Sequence, residues 1–429
     1  MKIKPTIEQS WEILFDKHNI VKKVREDGIF KISSAEINTI KEARLMAKFD
    51  KSSKLPKVFR DNNLSILPIS RGEYAIGNFK THEKLNYSNT NPIMTRTPSF
   101  LQTINKSDLY SESAALLFAF NSGIIADVLQ TYGLKFTVNG RMSSGSFNFK
   151  IDDTITSKKH NIHVRNAQIE IDAGYETNDV FCICEAKNIA TEEILIRQLY
   201  YPYRLWKSKI SKTIIPAFIV YTNDIFHAFI YEFSNINNYN SLKLLQHKVY
   251  TFIEDKLSFS ETVNMFKSIN KVIEPKVQFP QADSFERIID LLSILFEKQL
   301  THDEVTLKYE FDSRQTDYYI SACEYLSLVE RIENNNRERC YRLTNDARII
   351  MQLNYSTKYL ELIKRILSCP VFNIAFGSYL ITSKIPTKQE ICNIMSKASL
   401  NLSDSTIKRR SSTVRGWLNW IIKNIENYL

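Results

Sequence analysis

The sequence predicts a multidomain protein of the α/β class, in which a strand-rich central region is followed by a mainly helical carboxyl-terminal third. Three observations lead to this prediction. The length of 429 residues is too great for one compact core and indicates two to four domains. Between residues 106 and 240, strand patterns alternate with helix patterns, which is typical of a mixed sheet flanked by helices. Beyond residue 282, capped helical patterns predominate and the strands are short.

The composition indicates a folded protein with a polyanionic partner. Hydrophobic residues make up 43% of the chain and aromatic residues 12%, which excludes a disordered chain. There are 57 Lys and Arg against 47 Asp and Glu, a net charge of +10. The first residues lead into an amphipathic helix, and no apolar run has the length of a membrane span. The six cysteines are scattered without zinc spacing, so we expect a cytoplasmic protein with reduced thiols.

A basic α/β module is predicted over residues 1–105. Ser33 and Glu36 fit a capping box that opens a helix ending near Lys48, and strands are expected at Leu64–Ile69 and Tyr74–Phe79. The module either packs beside the central region or forms a DNA-recognition surface. Its basic residues are Arg44, Lys48, Lys51, Lys54, Lys57, Arg60 and Arg71.

The central region is predicted to begin with a nearly all-apolar helix from Ser111 to about Gln130. Strands at Phe136–Val138 and Phe147–Lys150 would then enclose a loop of small donors at Asn139–Ser146. In that loop, Arg141, Ser143 and Ser144 are predicted to contact phosphates or a DNA groove, and a plain hairpin turn is the alternative. Residues 152–165 are predicted to form a polar loop over the duplex. His160 and His163 within it have no second pair, so a zinc site is not expected.

A β-hairpin is predicted from Gln168–Asp172 and Phe181–Lys187, with turn residues between them. Side chains alternate along a strand, so Glu170 and Asp172 share one face of the first strand, and Glu185 and Lys187 share one face of the second. Three acids and a lysine would then converge at one end of the hairpin. Such a group suits phosphodiester hydrolysis, because carboxylates hold Mg²⁺ and a lysine can orient the attacking water.

The spacing of these residues resembles a known nuclease signature. Asp172 lies thirteen positions before Glu185-x-Lys187, which resembles the motif of the PD-(D/E)XK nuclease superfamily. Ile171 stands where the motif name has proline. The wider context resembles type II restriction endonucleases. The alternative is a surface hairpin whose acids and lysine are solvated.

The elements around the motif fit the same resemblance. Val180–Cys184 is an apolar run, an amphipathic helix is predicted from Thr191 to Lys207, and a buried strand follows at Ile214–Tyr221. Strand, strand, helix, strand is the core order of that fold. Pro202 is predicted to end or kink the helix at Tyr201.

The resemblance implies roles for six side chains. Asp172 and Glu185 would bind Mg²⁺, and Lys187 would position the water and stabilise the negative charge on the phosphate. Glu170 or Glu112 would be an additional acid, although an acid at the position of Glu112 more often only complements its helix N-terminus. In addition, a polar residue on the helix that follows the lysine would support the site, and Gln198 lies at that position.

The central region is predicted to finish with a strand at Ile225–Phe233 and a polar break at Asn235–Asn240, and a helical linker is expected over residues 241–281. A winged-helix domain is predicted over residues 282–352. Helices at Phe285–Phe296 and from Thr301 onwards are followed by a turn at 311–313 and a third helix at Arg314–Leu328. A hairpin around residues 334–336 forms the wing.

In such domains the third helix can enter a major groove, so Arg314 and Gln315 are candidate DNA contacts, although winged helices also bind proteins. A second helix-turn-helix-like unit is predicted over residues 353–429. It has a capped helix at Thr387–Glu390 and a basic helix at Ser405–Trp417. The alternative for the basic helix is a solvated face without a partner. Its candidate DNA contacts are Lys408, Arg409, Arg410 and Arg415.

These observations together predict a sequence-specific, Mg²⁺-dependent DNA endonuclease. Cleavage of both strands needs two such sites, so a homodimer is expected. If the resemblance to restriction enzymes holds, it implies a cognate DNA methyltransferase acting on the same site. Two other readings remain open: a repair or recombination nuclease that recognises DNA structure, and a DNA-binding regulator without catalysis.

Overall fold

In the described part of the chain, helices occur from end to end, strands lie between Ile29 and Leu343, and the largest sheet is mixed. The predicted α/β multidomain class is confirmed at this level. The structure is a computed structural model that describes residues 5–88, 90–104, 109–252, 257–309, 313–334, 338–398 and 400–426.

The amino-terminal region packs helices against a three-stranded antiparallel sheet of order β1-β3-β2. Ser33 and Glu36 form the predicted capping box, but the helix that it opens ends at Asn38 and not near Lys48. The Asn38 side chain accepts the N–H of Ala43 at 2.7 Å, which starts a separate short helix. The elements are α1 Ile7–His18, α2 Ile20–Asp27, β1 Ile29–Ser33, α3 Ser34–Asn38, α4 Ala43–Met46, a 3₁₀ turn at Ser52–Lys54, α5 Lys57–Arg60, β2 Ser65–Pro68 and β3 Glu73–Gly77.

A seven-stranded mixed sheet forms the centre of the molecule, in the order β5-β14-β13-β12-β10-β9-β6. Two smaller sheets, β7-β8 and β4-β11, lie beside it. The elements are β4 His82–Lys84, β5 Ile93–Met94, α6 Glu112–Asn121, α7 Ile124–Val128, β6 Lys135–Ser143, β7 Ser146–Asp152, β8 Lys159–Arg165, β9 Gln168–Glu176, β10 Val180–Lys187, β11 Glu193–Leu195, α8 Arg197–Lys207, β12 Thr213–Thr222, β13 Ile225–Phe233 and β14 Leu242–Thr251.

The predicted hairpin is confirmed, since β9 and β10 pair antiparallel. Its strands are longer than predicted, and only residues 177–179 remain between them. The chain then crosses through α8 and returns as β12, parallel to β10. Both faces of the sheet are covered. One apolar cluster joins it to α6 and α7, and another joins it to α8, β7 and β8. Strand, strand, helix, strand is therefore present as predicted, with the short β11 inserted before the helix.

Two predicted loops are strands. Asn139–Ser143 belongs to β6, which pairs with β9 through irregular register, so only Ser144 and Gly145 separate it from β7. The predicted polar loop over residues 152–165 contains β8, which pairs with β7. On β8, alternate side chains are buried, including Ile162 and Val164. The strand was not predicted because most residues of this segment are polar and only the side chains on its inward face are apolar.

Several predicted helices differ in extent. The helix from Ser111 breaks at Gly123, whose φ of 82° is left-handed. The helix predicted from Thr191 begins at Arg197, after β11. Pro202 does not end it, and the buried flanking tyrosines hold α8 against the sheet. The linker predicted to be helical contains β14, so residues 242–251 extend the central sheet.

The carboxyl-terminal part is mainly helical, with one three-stranded sheet of order β15-β17-β16. Thr301 and Glu304 exchange the predicted capping hydrogen bonds. The third helix ends at Tyr325, before Ser327 with a φ of 55°. The elements are α9 Phe259–Ser268, α10 Phe285–Glu297, β15 Leu300–Thr301, α11 His302–Tyr309, α12 Ser313–Tyr325, β16 Val329–Glu333, β17 Arg339–Leu343, α13 Asn345–Met351, α14 Tyr355–Ser368, α15 Pro370–Thr382, α16 Lys388–Lys397 and α17 Asp404–Glu426.

Two predicted turns, at 311–313 and 334–336, lie wholly or partly outside the described residues. The second helical unit has its predicted Thr387–Glu390 capping box, and the basic helix is the first half of α17. Trp417 packs in the core of this unit and donates to the carbonyl of Ala282 at 2.7 Å.

The six cysteines are all free thiols, and five of them are buried. Among the described residues, no single helix is both long and apolar enough to span a membrane. Only α14 and α15 taken together, with a bend of 107° between them, reach that length and composition.

Candidate active site

The candidate site lies where β10 separates from its hairpin partner. β9 pairs with β10 as far as Cys184, and beyond this point β10 pairs only with β12. The main-chain N–H of Ala186 therefore has no partner strand on the β9 side. The Asp172 Oδ2 atom accepts this N–H at 2.8 Å and so takes the place of a main-chain acceptor. This hydrogen bond fixes the Asp172 carboxylate beside the last residues of β10.

Glu185 and Lys187 project from the same face of β10, as predicted. The Lys187 Nζ atom donates to Glu185 Oε1 at 2.8 Å. The side chain of Gln198, in the first turn of α8, donates to the same oxygen. The Glu185 and Lys187 side chains are only 7% and 14% exposed. The predicted supporting residue therefore contacts the site directly, and α8 and β10 together hold the Glu185 carboxylate.

The two additional acids differ in their distance from this group. Glu112 Oε1 lies 3.8 Å from Lys187 Nζ, so the first turn of α6 reaches the site. Glu170 is more exposed and pairs with Arg141 across the β6–β9 ladder, with 3.3 Å between Arg141 Nε and Glu170 Oε1. Glu170 lines the same cleft but forms its ion pair with Arg141 and not with Lys187.

Burial of several acids together changes their proton affinities. Burial raises the pKa of Glu185 to about 8, with Asp172 adding to the effect and Lys187 opposing it. Burial likewise raises the pKa of Asp172 and of Glu112. Burial alone would lower the pKa of Lys187, but the surrounding carboxylates, with Glu185 foremost, raise it well above its usual value. The lysine therefore stays charged, and the acids would be stabilised as anions by a further cation.

Asp172 and Glu185 are the residues that could hold a metal ion. Within the described part of the chain, no group of three or more His, Cys, Asp or Glu is arranged to hold one by itself. Two carboxylates nevertheless suit Mg²⁺, which commonly keeps several waters and uses one or two protein carboxylates together with substrate phosphate oxygens. The all-oxygen donor set suits this hard cation better than zinc, which favours Cys and His ligands.

The site opens into a cleft of about 820 Å³ with walls from three parts of the chain. The floor consists of the sheet end with Asp172, Glu185 and Lys187. One wall comes from the amino-terminal region, and another from α10 and α11. The basic residues lining the cleft, apart from Lys187, are Arg44, Lys48, Lys54, Arg71, Arg141, Arg197 and Lys308.

Of the three residues around the β6–β7 connection that were predicted to contact DNA, only Arg141 lines the cleft. Arg141 is exposed and lines the cleft. Ser143 donates to the side chain of Asn166 at 3.2 Å. Ser144 is 1% exposed and donates to the carbonyl of Gly145, so its hydroxyl faces the protein interior.

The candidate contacts in the carboxyl-terminal part do not line the cleft. Arg314 and Gln315 are exposed in the first turn of α12. On α17, three of the four basic residues are exposed, and Arg410 is the exception. Arg410 is 2% exposed, and its Nε and Nη1 atoms are buried without a hydrogen-bond partner in the described structure. The four basic residues are Lys408, Arg409, Arg410 and Arg415.

Sequence reasoning did not place the amino-terminal region at the site. Its cluster of basic residues was visible in the sequence, but nothing in the spacing indicated that Arg44, Lys48 and Arg71 would border the cleft. Asp50 had no sequence signal at all, yet its carboxylate is close enough to raise the pKa of both Lys187 and Glu112.

Three family models match separate parts of the chain, and each is described as a domain of unknown function. They are DUF6996 at residues 8–76, DUF6997 at residues 77–251 and DUF7226 at residues 287–426. No curated protein and no solved structure matches the chain. The site residues Glu112, Asp172, Glu185, Lys187 and Gln198 all fall within the DUF6997 segment, which also contains all seven strands of the central sheet.

Proposed function

We propose that this protein is a Mg²⁺-dependent endodeoxyribonuclease of the PD-(D/E)XK type, acting as a type II restriction endonuclease. The observation that carries the proposal is the grouping of Asp172, Glu185 and Lys187 at the split end of β10. Gln198 and Glu112 contact the same group, and it lies on the floor of a cleft bordered by cations. A surface hairpin with solvated acids does not fit, because Glu185 is buried and hydrogen-bonded by two side chains.

Asp172 and Glu185 would hold the Mg²⁺ ion. When bound, the ion would polarise the attacking water and offset the negative charge that develops on the phosphate. The raised pKa of both carboxyl groups supports this assignment, because a cation at this position would favour their ionised forms.

The protein side chains have distinct roles in the proposed reaction. The ammonium group of Lys187, held charged by the acids around it, would orient the water and stabilise the charge on the pentavalent phosphorus. Gln198 would keep the Glu185 carboxylate in one orientation, and the Ala186 N–H does the same for Asp172. Glu112 would help to position Lys187 from its opposite side.

DNA is the substrate that the surroundings favour. The cleft is bordered by Lys and Arg, and the chain carries a net charge of +10. In the carboxyl-terminal part, the order α10, β15, α11, α12, β16, β17 supports the predicted winged-helix arrangement. Arg314 and Gln315 would then lie at the start of a recognition helix, and exposed Lys408, Arg409 and Arg415 would contact backbone phosphates. The burial of Arg410 removes it from this proposed surface.

Cleavage of both strands would require two copies of the site, so the proposal includes a homodimer, either stable or formed on DNA. A type II enzyme would also have a partner methyltransferase that protects the same sequence.

The test is digestion of unmethylated phage DNA by the purified protein with Mg²⁺, beside the Lys187→Ala variant. Discrete fragments from the wild type alone would support a site-specific endonuclease, and the fragment ends would give its sequence. A smear from the wild type alone would favour the repair or recombination nuclease. DNA binding by both proteins without any cutting would favour the DNA-binding regulator and overturn the nuclease proposal.

A further inference from the structure

The amino-terminal region contributes a basic wall to the catalytic cleft. Arg44, Lys48 and Arg71 line the cleft from this region, and all three side chains are exposed. We call these three residues the amino-terminal wall. Lys57 and Arg60 belong to the same region and are also exposed, but they do not line the cleft. The structure therefore divides a basic module into a face toward the active site and a face away from it.

The wall residues form no direct ion pair with a protein carboxylate in the described structure, although Lys48 is close enough to Glu112 to lower the pKa of that acid. Within the described ranges, Arg44, Lys48 and Arg71 form no ion pair, whereas Arg141 on the cleft floor pairs with Glu170. Glu42 and Asp50 also lie on this side of the cleft, but neither forms an ion pair with the wall. Unpaired cations that border a cleft raise the local potential and attract anions into it.

Hydrogen bonds to the first helix and to the central region fix the main chain that carries Arg44 and Lys48. The Trp11 indole N–H donates to the carbonyl of Met46 at 2.8 Å. On the other side of Lys48, the Phe49 carbonyl lies 3.2 Å from the Nε2 atom of His82, which precedes the catalytic strands. Ser52 then donates its hydroxyl to the Glu193 carboxylate of β11 at 2.9 Å. Arg44 and Lys48 are thus held in a defined position relative to the site.

The turn that carries Arg71 is fixed in a similar way. The Arg165 main-chain N–H of β8 donates to the carbonyl of Ile69 at 2.8 Å. The Tyr201 hydroxyl of α8 donates to the carbonyl of Pro68 at 3.1 Å. Because α8 also carries Gln198, the same helix positions this turn and the Glu185 carboxylate. Positions fixed before binding reduce the entropy cost of holding a ligand.

We propose that the amino-terminal wall binds the sugar–phosphate backbone of the DNA next to the scissile phosphate. This inference rests on the proposed nuclease function and assigns substrate binding to a part of the chain outside the catalytic sheet and outside the carboxyl-terminal helices. Exposed Lys and Arg without fixed acceptors suit phosphate oxygens, which are repeated along any DNA sequence, better than one base edge. The wall would therefore supply affinity and register but no sequence preference.

The experiment measures binding of a random-sequence duplex to the full-length Lys187→Ala protein without Mg²⁺, over a series of salt concentrations. On this background, the double variant Lys48→Ala/Arg71→Ala is compared with Lys57→Ala/Arg60→Ala. Each removes one lysine and one arginine, so the net charge falls equally. Each phosphate contact contributes about 0.9 to the slope of log affinity against log salt, so losing two should reduce that slope by about 2. Near physiological salt, affinity should fall roughly 30-fold for the wall variant and by less than about twofold for the control.

The possible outcomes separate this inference from the nuclease proposal. If the two double variants bind alike while the chain with Lys187 intact cuts DNA, the wall has no role and the nuclease proposal stands. If only Lys48→Ala/Arg71→Ala weakens binding but the wild type never cuts, backbone binding by the wall is supported, whereas the nuclease proposal and the placement of the wall beside a scissile phosphate both fail. If the Lys187→Ala protein does not bind duplex at all, the wall inference is overturned. Equal melting temperatures of the two double variants exclude a folding defect as the cause of a difference.

Discussion

Lys187→Met should separate catalysis from folding. Lys187 Nζ donates to Glu185 Oε1 at 2.8 Å and lies 3.8 Å from Glu112 Oε1. Methionine keeps the unbranched apolar stem of the side chain and removes the ammonium group, with its charge and its N–H donors. The variant therefore loses a preorganised cation at the place where negative charge would develop on the phosphate. Loss of one such group costs a factor of about 10²–10³ in rate, or about 2.7–4 kcal/mol of transition-state stabilisation.

The same change should have a small effect on stability at neutral pH. Removing one partner of a buried ion pair commonly costs about 3–5 kcal/mol, because the other charge is left buried. Glu185 avoids most of this cost, since burial already raises its pKa to about 8 and it can take up a proton at pH 7. We therefore expect the free energy of unfolding to fall by less than about 2 kcal/mol at pH 7.

The stability difference between Lys187→Met and the wild type should grow as the pH rises above 8. Loss of Lys187 raises the folded-state pKa of Glu185 further above the unfolded value of 4.5. Above pH 8, the folded variant would keep a proton that the unfolded chain has released, so its stability should fall as pH rises. The wild-type contribution from Glu185 levels off above its pKa of about 8. The variant should lose about 1.4 kcal/mol per pH unit relative to wild type until its own pKa is passed.

Single-turnover cleavage with saturating Mg²⁺ and urea unfolding at pH 7 and pH 9 would measure both effects. Lys212→Met is the matched control, because Lys212 pairs with Glu176 at the other end of the same hairpin, away from the cleft. The control should cleave DNA at the wild-type rate. A Lys187→Met rate within threefold of wild type would refute the role assigned to the lysine. An equal loss of stability at both pH values would refute the account of Glu185.

Three further predictions concern stability. Arg410→Met should raise the free energy of unfolding by about 1–3 kcal/mol in urea titrations, because the buried guanidinium has two unpartnered nitrogens in the described structure, and a destabilised variant would contradict this. Burial lowers the pKa of His227 to about 4, so the unfolded chain takes up this proton first as pH falls below 6.5. Relative to His227→Phe, the wild type should therefore lose about 1–2 kcal/mol between pH 7 and pH 5, and parallel pH profiles would refute it. Gly416→Ala should destabilise by at least about 2 kcal/mol, since its Cβ would lie 2.0 Å from the Asp283 carbonyl oxygen, whereas Gly377→Ala, with no atom nearer than 3.6 Å, should not.

The local part of the site was predictable from the sequence. Period-two alternation around Glu185 and Lys187 and a turn-rich gap gave the hairpin, and these signals need no long-range information. Gln198 was predictable only through the family resemblance, because nothing in its own segment requires a polar residue beside β10. The structure shows that it contacts Glu185 across thirteen residues of sequence.

The rest of the cleft depends on contacts between distant segments. The His82–Phe49 hydrogen bond joins residues 33 apart, and Ser52 reaches Glu193 across 141 residues. A single sequence carries no periodic signal for such pairs, so the amino-terminal wall could be seen as basic but not as part of the site. Pro202 shows the opposite case, in which a strong local signal was overridden. Burial of neighbouring aromatic side chains against the sheet keeps α8 continuous through the proline.

The carboxyl-terminal helices are joined to the central sheet by buried polar contacts. Asp290 of α10 is 3% exposed and accepts the N–H of Ala190 at 3.2 Å and the hydroxyl of Thr222 at 2.9 Å. Lys358 of α14 pairs with Asp224 at 3.4 Å, with both side chains almost fully buried. Separating the helices from the sheet would leave buried charged groups without their partners, at a cost of several kcal/mol. The helices are therefore held at a constant distance from the cleft. If they read the DNA sequence as proposed, cleavage should fall at one fixed offset from the recognised bases, because these buried contacts fix the spacing between the helices and the cleft.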